Sequence, residues 1–165
     1  MNVSNTIQQL QAQWVTPEKF LPYGQVIFAS EDGKPYDTQD AQLNLQNGIP
    51  RFYIMRLHNR GRRFHQINRH VQCTQCLGSL EGKEWLIAVA PPNPATNKPE
   101  LDDISAFRIP GNCFIKLELG TWHAGPYFEH DVVDFYNLEL SNTNVVDRFT
   151  YNFLESNHLE FEFVY

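Results

Sequence analysis

Short runs in which apolar and polar residues alternate recur along most of the chain and predict β-strands. The clearest run is the last one, where every second residue from Leu159 to Tyr165 is apolar and Glu160 and Glu162 stand between them. Because successive side chains of a strand point to opposite faces, this alternation is typical of a strand with one buried face. Similar runs predict further strands over residues 25–29, 52–57, 71–77, 84–90, 106–109, 115–119 and 132–140.

The start of the chain has a different spacing. Ile7, Leu10 and Trp14 fall at helical intervals among glutamines, which predicts a helix. Thr16 followed by Pro17 is typical of a helix start and predicts a second, short helix. An N-terminal helical segment is therefore expected over about residues 4–21. Polar residues 30–42 and proline-rich residues 91–100 are expected to form loops.

Many short strands behind one helical segment predict a mainly β protein built as a barrel or a sandwich. The length of 165 residues fits a single domain over residues 1–165. The high aromatic content, 13% of the residues, also favours strands.

Charge and composition narrow the range of partners. The formal charge of −6 argues against nucleic acid as the main partner, because an acidic surface repels phosphate groups. The arginine-rich stretch over residues 56–69 is a local exception, and either a solvated face or a carboxylate-binding surface explains it. No apolar run approaches the roughly 18 residues of a membrane span, so no membrane association and a cytoplasmic location are expected.

The cysteines do not form a disulfide pattern. There are three, an odd number, and although Cys73 and Cys76 have C-x-x-C spacing, Cys113 stands alone. A zinc knuckle would need a second ligand pair. The pattern favours reduced thiols in or beside a strand, without assigning Cys73 and Cys76 a role.

Two of the six histidines stand in a context that suggests chemistry. His70 opens a predicted strand and shares a strand face with Gln72, whereas Gln75 joins them only if the register shifts. His123 follows Trp122 in a bent segment between glycines, where Trp122 can form a rigid wall. These features predict a polar cavity approached by His70, Gln75 and His123.

The two segments resemble the two cupin motifs. His70-x-Gln72, then Gln75, then Gly82 is similar to the first motif, and Gly120-x-x-His123 is similar to the second. The resemblance implies a double-stranded β-helix, a jelly-roll-like barrel, in which His70, Gln75 and His123 would hold a divalent metal such as nickel or zinc. Glutamine replaces the second His and the Glu of the first motif, and an amide oxygen is a poorer ligand for these metals.

A set of ordered pieces between about residues 16 and 140 resembles the ureidoglycolate lyase family, also called ureidoglycolate hydrolase. The pieces are Phe20-x-Pro22-Tyr23-Gly24-x-Val26-Ile27, Asn47-Gly48-x-x-Arg51-Phe52, Arg69-His70-x-x-x-x-Gln75, Val89-Ala90-Pro91, Ala106-Phe107, Gly120-Thr121-Trp122-His123 and Asp134-Phe135. The resemblance implies a carbon–nitrogen lyase of allantoin and purine breakdown that converts ureidoglycolate to glyoxylate and urea. Enzymes of the family usually carry a second His directly after Trp-His, where this chain has Ala124.

The reaction needs a cation for the substrate carboxylate, a base near neutral pKa and a group that stabilises the developing alkoxide. Arg51 is the candidate for the carboxylate, and His70 and His123 are expected to bind metal or act as base. Gln75 is expected to bind substrate or act as a weak metal ligand. Trp122 and Tyr136 are candidate substrate-contacting residues, and Asn137 is a further candidate cavity liner. Glu118 could face inward, although a solvated strand position is the more ordinary interpretation.

Two alternatives remain open from the sequence. The chain could be a non-catalytic cupin module that binds a small carboxylate, which the loss of the second His would favour. It could also be a different metal-dependent cupin enzyme, in which iron would indicate oxygen chemistry. A homodimer is expected, both from the resemblance and because a C-terminal strand with an exposed edge would pair with a second copy.

Overall fold

The computed structural model describes residues 4–165, and most of these residues form β-strands. Three helices are short, and one 3₁₀ turn covers Leu101–Asp103. The strands are β1 (Thr6–Trp14), β2 (Gly24–Phe28), β3 (Pro50–His58), β4 (Arg63–Phe64), β5 (Gln66–Arg69), β6 (Gln75–Ser79), β7 (Gly82–Ala90), β8 (Ser105–Gly111), β9 (Cys113–Leu117), β10 (Trp122–Tyr127), β11 (Val132–Leu140), β12 (Phe149–Asn152) and β13 (Leu159–Val164). The helices are α1 (Pro17–Phe20), α2 (Thr143–Val146) and α3 (Phe153–Asn157).

The strands form two sheets that face each other. The larger sheet has eight strands in the order β12-β5-β10-β7-β8-β1-β13-β4, and the smaller has five in the order β2-β9-β6-β11-β3. Only His65 separates β4 from β5 along the chain, although they lie near opposite ends of the larger sheet, so that sheet curls back on itself. The predicted mainly β, cupin-like barrel is thereby confirmed.

Strand β7 contributes to both hydrophobic cores. Trp85, Ile87 and Val89 point between the two sheets, where they pack against residues of β2, β6, β8, β9 and β11. Leu86, Ala88 and Ala90 point the other way, into the curl of the larger sheet. A strand buried on both faces reads as a continuous apolar run, which explains why residues 85–90 show no alternation.

The predicted helix at the start of the chain is wrong. Residues 6–14 form β1, which pairs in parallel with both β13 and β8. Leu10 and Ala12 point into the core, while Ile7 and Trp14 are exposed. Hydrogen bonds from two neighbouring strands and burial of alternate residues outweigh the helical spacing of three apolar residues. The predicted short helix is confirmed as α1, where the side chain of Thr16 accepts a hydrogen bond from the backbone N–H of Lys19 at 3.3 Å.

Three other expectations need correction. The C-terminal strand is present as β13, but it lies between β1 and β4 and is therefore not an exposed edge. The strand predicted from Val71 begins only at Gln75, and the preceding residues form a loop. The strand predicted over residues 115–119 ends at Leu117, and Lys116 is buried and ion-paired with Glu118 rather than solvated.

Candidate functional site

A cavity of about 480 Å³ opens between the two sheets. Strands β3, β6 and β11 of the smaller sheet form one wall, and β5 and β10 of the larger sheet form the other. Apolar side chains, including Met55 and Leu57, line part of it. The polar side chains that line it include His65, Asn68, His70, Gln75, His123, Asn137, Glu139, Asn144 and Arg148.

His70 and His123 meet in this cavity, as the sequence predicts. Their ring centroids lie 5.1 Å apart, and both side chains are buried. His123 lies on β10, and its Cα pairs with that of Asn68 on β5. His70 follows the end of β5, so the pairing of these two strands brings residues 70 and 123 to the same wall.

Asp147 holds the loop that carries His70. Its buried carboxylate accepts hydrogen bonds from the backbone N–H groups of Val71 and Gln72, each at 2.8 Å. Its backbone carbonyl accepts from Nδ1 of His70. The carbonyl of His70 in turn accepts from the backbone N–H of Gly120 at 2.7 Å, which links the loop to the segment before His123. The loop is therefore fixed at both its backbone and its imidazole.

Both imidazoles present Nε2 as an acceptor. A backbone carbonyl can only accept, so the contact with Asp147 assigns the proton of neutral His70 to Nδ1. Nδ1 of His123 faces the carbonyl of Thr121 at 3.3 Å and takes the same tautomer. No hydrogen bond within residues 4–165 occupies Nε2 of either ring. Both rings of this buried pair therefore have an Nε2 lone pair free.

His123 is neutral at physiological pH. Its pKa is lowered to about 3, mainly by burial and to a lesser extent by the neighbouring His70 and Arg148, while the contact with the Thr121 carbonyl acts in the opposite direction. An imidazole with this pKa accepts a hydrogen bond or binds a metal at pH 7, but it does not carry a proton there.

Gln75 lies in a hydrogen-bonded group of polar side chains on the opposite wall. Its Nε2 donates to Oδ1 of Asn137 and to Oε2 of Glu139, both at 3.1 Å. Oε1 of Glu139 accepts from the Tyr53 hydroxyl at 3.3 Å and from Nδ2 of Asn144 at 3.0 Å. Asn137 and Glu139 point into the cavity because they alternate with outward-facing residues on β11.

Three predicted substrate contacts lie elsewhere. The side chain of Arg51 does not line the cavity; its guanidinium lies 3.6 Å from the centroid of the Tyr53 ring. Trp122 points to the opposite face of β10 from His123 and packs in the core. Tyr136 points to the outer face of the smaller sheet, where its ring contacts those of Phe52 and Phe114. Strand alternation turns the side chains of Trp122 and Tyr136 away from the cavity, and Arg51 lies beyond its rim.

Glu139, Asn144 and Arg148 also line the cavity, although no sequence motif points to them. The alternation of β11 could have identified Glu139, because it follows Asn137 by two residues and so shares its face. Arg60 and Arg63, in the arginine-rich stretch, line the open side of the cavity together with Arg148. No acidic partner among the described residues pairs with Arg60 or Arg148. These two cations are therefore available to an anionic ligand.

The cysteines are buried free thiols, as predicted. Burial raises the pKa of Cys76 to about 12 and that of Cys113 to about 11. Thiols with such pKa values remain protonated at neutral pH and are poor nucleophiles. Cys73 contacts the hydroxyl of Thr143 at 3.5 Å, which indicates that this thiol has a packing role. Glu118 is largely exposed and pairs with Lys116, which agrees with the more ordinary interpretation of that residue.

The donors near the imidazoles are few and neutral. Within residues 4–165 no group of three or more His, Cys, Asp or Glu side chains is arranged to hold a metal. The carboxylate of Glu139 is engaged by Tyr53, Asn144 and Gln75. The two imidazoles are fewer than the three protein ligands that a catalytic zinc site usually has. Ala124, at the place of the second family His, packs in the same apolar core as Trp122.

The helices of the described residues include none long and apolar enough to cross a membrane. A comparison with curated proteins finds no match for the chain. The model of the family described as ureidoglycolate lyase matches residues 7–153, which include both imidazoles, Gln75 and Glu139. The chain therefore belongs to the ureidoglycolate lyase family, whose members are carbon–nitrogen lyases of purine catabolism.

Proposed function

We propose that this chain cleaves ureidoglycolate to glyoxylate and urea inside the cavity between the two sheets. The observation that carries the proposal is the pair of buried imidazoles with free Nε2 atoms, 5.1 Å apart by ring centroid, in a cavity whose open side carries unpaired arginines. A small anionic substrate with a hydroxyl group to deprotonate fits both features. The family match supports the same reaction.

Arg148 and Arg60 bind the substrate carboxylate in this proposal, in place of Arg51. Both line the cavity, and neither has an acidic partner among residues 4–165. Arg60 also lies 4.4 Å from the centroid of the Tyr127 ring, which restricts its position. A guanidinium can bind both oxygens of a carboxylate, which fixes the orientation of the substrate as well as its affinity.

His70 is the base. Its Nδ1–H is held by the Asp147 carbonyl, so Nε2 can take the proton of the substrate hydroxyl, and the same contact stabilises the imidazolium that forms. The oxygen electrons then form the C=O bond of glyoxylate while the C–N bond breaks. The leaving urea nitrogen takes the proton back from His70, so the reaction consumes no water. The low pKa of His123 makes it an acceptor rather than a proton carrier.

A bound metal would be held by Nε2 of His70 and of His123, in which case a base other than His70 would be needed. Nickel or zinc there would supply a Lewis acid for the developing alkoxide. Metal analysis of the purified protein, followed by turnover measurements before and after chelation, tests this part of the proposal. Full turnover by protein free of metal would assign both imidazoles to proton transfer and hydrogen bonding.

The activity is tested by continuous measurement of glyoxylate release. His70→Gln is expected to lower kcat by about 100-fold or more, since removal of a general base typically costs that much. His130→Gln, at an exposed histidine outside the cavity, is the control and should leave kcat unchanged. Wild-type turnover in His70→Gln would exclude His70 as the base.

A binding module without catalysis is the second candidate, because Ala124 occupies the position of the second family His. The two functions are separated by one comparison: titration with ureidoglycolate releases heat in both cases, but only the enzyme releases glyoxylate and urea. The proposal also includes a cytoplasmic location, which the odd number of free cysteines supports.

We propose in addition a homodimer formed through β3 rather than through β13. Strand β3 is one of the two outermost strands of the smaller sheet, and its Phe52 and Ile54 are 71% and 63% exposed. An exposed edge strand with apolar side chains on one face favours pairing with a second copy around a two-fold axis.

A further inference from the structure

We propose that Gln75, which lines the cavity, recognises the ureido N–H groups of the substrate through its amide oxygen, and that Glu139 is the positioning residue that leaves this oxygen free of hydrogen bonds within the wall. The inference rests on the proposed function and specifies which part of the substrate each wall contacts. It begins from an unpaired atom: Oε1 of Gln75 is buried and has no hydrogen-bond partner within residues 4–165. The side chain itself is only 7% exposed.

Glu139 sets the direction of every hydrogen bond around it. A carboxylate can only accept, so Tyr53, Asn144 and Gln75 must all donate to it. The donation by Gln75 comes from Nε2, at 3.1 Å from Oε2 of Glu139. The amide of Gln75 therefore cannot turn around without bringing its carbonyl oxygen against a carboxylate oxygen.

A second path gives the same orientation. The Tyr53 hydroxyl donates its hydrogen bond to Glu139, so its oxygen accepts one from Nδ2 of Asn137 at 3.0 Å. Asn137 then offers Oδ1 to Gln75, whose Nε2 donates to it at 3.1 Å. Both amide protons of Gln75 are thus used within the wall, and its carbonyl oxygen alone is left for a ligand.

The result is a cavity whose two chemical ends differ. Oε1 of Gln75 and Nε2 of His70 and His123 are all acceptors, whereas the arginines at the open side are donors with positive charge. Ureidoglycolate has the matching polarity: its ureido group carries N–H donors, and its carboxylate accepts. A buried acceptor without a partner favours ligands that bring a donor and disfavours those that do not.

The same geometry explains why position 75 holds Gln where the first cupin motif has Glu. A glutamate there would bring a second carboxylate oxygen to about the place of Nε2, beside Oε2 of Glu139. Two carboxylates in contact cannot both ionise readily. Positions 75 and 139 therefore share a single negative charge, and this chain places it at Glu139.

The test compares two ligands that the enzyme cannot cleave. N-carbamoylglycine is ureidoglycolate without its hydroxyl, and N-acetylglycine replaces its terminal amino group by methyl. By calorimetric titration, the wild type is expected to bind N-carbamoylglycine about tenfold more tightly, which corresponds to one hydrogen bond. Equal affinities, or no binding of either ligand, would overturn the inference.

Four variants separate positioning from general structure. Gln75→Met removes the acceptor, and Glu139→Gln allows the Gln75 amide to turn around, so both should lose the tenfold preference. Asn144→Ala is the matched control: it removes a partner of Glu139 but leaves both hydrogen bonds of the Gln75 amide, so the preference should persist. The double variant Gln75→Glu/Glu139→Gln reverses the network yet keeps an acceptor in the wall, and it should regain the preference. Full preference in Glu139→Gln would exclude the positioning role.

Turnover of ureidoglycolate by the wild type separates this inference from the proposed reaction. A tenfold ligand preference without release of glyoxylate would leave Gln75 as a ureido-binding residue and exclude the lyase function. Release of glyoxylate without any preference would support the lyase and exclude the role of Gln75.

Discussion

Asp147 positions the proposed base although it does not line the cavity itself. It lies 77 residues from His70 along the chain, and it binds the imidazole through its carbonyl and the following backbone through its carboxylate. One residue thereby fixes both the tautomer of His70 and the path of its loop. Such an arrangement of an imidazole by a second residue is typical of functional histidines.

Replacing Asp147 by Asn is expected to lower both stability and kcat. The amide can accept one of the two backbone hydrogen bonds but presents N–H groups to the other, leaving a buried donor unsatisfied at a cost of about 1–3 kcal/mol. Urea unfolding measures this loss. Asp134→Asn, which breaks an ion pair with the exposed Arg56, is the control and should cost less than about 1 kcal/mol. Equal losses would contradict the anchoring role of Asp147.

His123 should make the metal-free protein less stable as the pH falls. Burial lowers its folded-state pKa to about 3, below the unfolded value of about 6.5, so the unfolded chain binds the proton first. Stability is therefore fully present above about pH 6.5 and is lost as the pH falls toward 3.

Between pH 7 and pH 5 the expected loss from His123 is about 2 kcal/mol. Urea unfolding at the two pH values measures it, and His123→Gln serves as the comparison because it cannot titrate. A His123→Gln protein with the same pH dependence as the wild type would show that other groups are responsible.

At the scale of strands, the sequence predicted most elements but not their surroundings. β2, β3, β7, β8, β11 and β13, and β6 and β9 with shifted bounds, are predicted because alternation or an apolar run is visible locally. β1 was missed because its hydrogen-bond partners, β8 and β13, lie about a hundred residues or more away in the chain. The pair His70 and His123 could be predicted from motifs, whereas the directions of Trp122 and Tyr136 depend on which face of each strand meets the cavity.

At Gly111, the backbone of β8 lies very close to that of β7 at Gly82. A Cβ atom added at Gly111 would lie 2.0 Å from the carbonyl carbon of Gly82, a backbone atom that cannot move aside alone. Gly111→Ala is expected to destabilise the protein by about 3 kcal/mol or more, as severe steric changes do. Gly48→Ala is the matched control, because its Cβ would meet only side-chain atoms, those of Leu140 at 3.3 Å and Asn142 at 3.8 Å. Thermal unfolding of both variants should separate them clearly.

For the whole molecule, the arrangement of the two sheets explains why the cavity is polar inside a largely apolar fold. Strand β7 contributes side chains both to the core between the sheets and to the core within the larger sheet. The cavity lies beside these cores, between β3 and β11 on one side and β5 and β10 on the other. The sequence could indicate a barrel, but it could not show which sheet edge stays uncovered. β3 forms an edge of the smaller sheet, whereas the C-terminal strand does not lie at an edge.

The proposed dimer is tested at this edge. Ile54→Lys places a charge on the exposed apolar face of β3 and is expected to shift the protein toward monomer in analytical ultracentrifugation. Val145→Lys, at a similarly exposed apolar side chain on α2, should leave the association state unchanged. A wild-type protein that is monomeric at micromolar concentration would exclude the dimer altogether.

The contact between Asp147 and the loop of His70 also has a consequence for biosynthesis. The strands that frame the cavity are all translated by residue 140, but the residue that anchors the proposed base emerges from the ribosome afterwards. A nascent chain that has not yet reached Asp147 lacks the residue that tethers its proposed base. Competence for chemistry is therefore among the last properties that the growing polypeptide acquires.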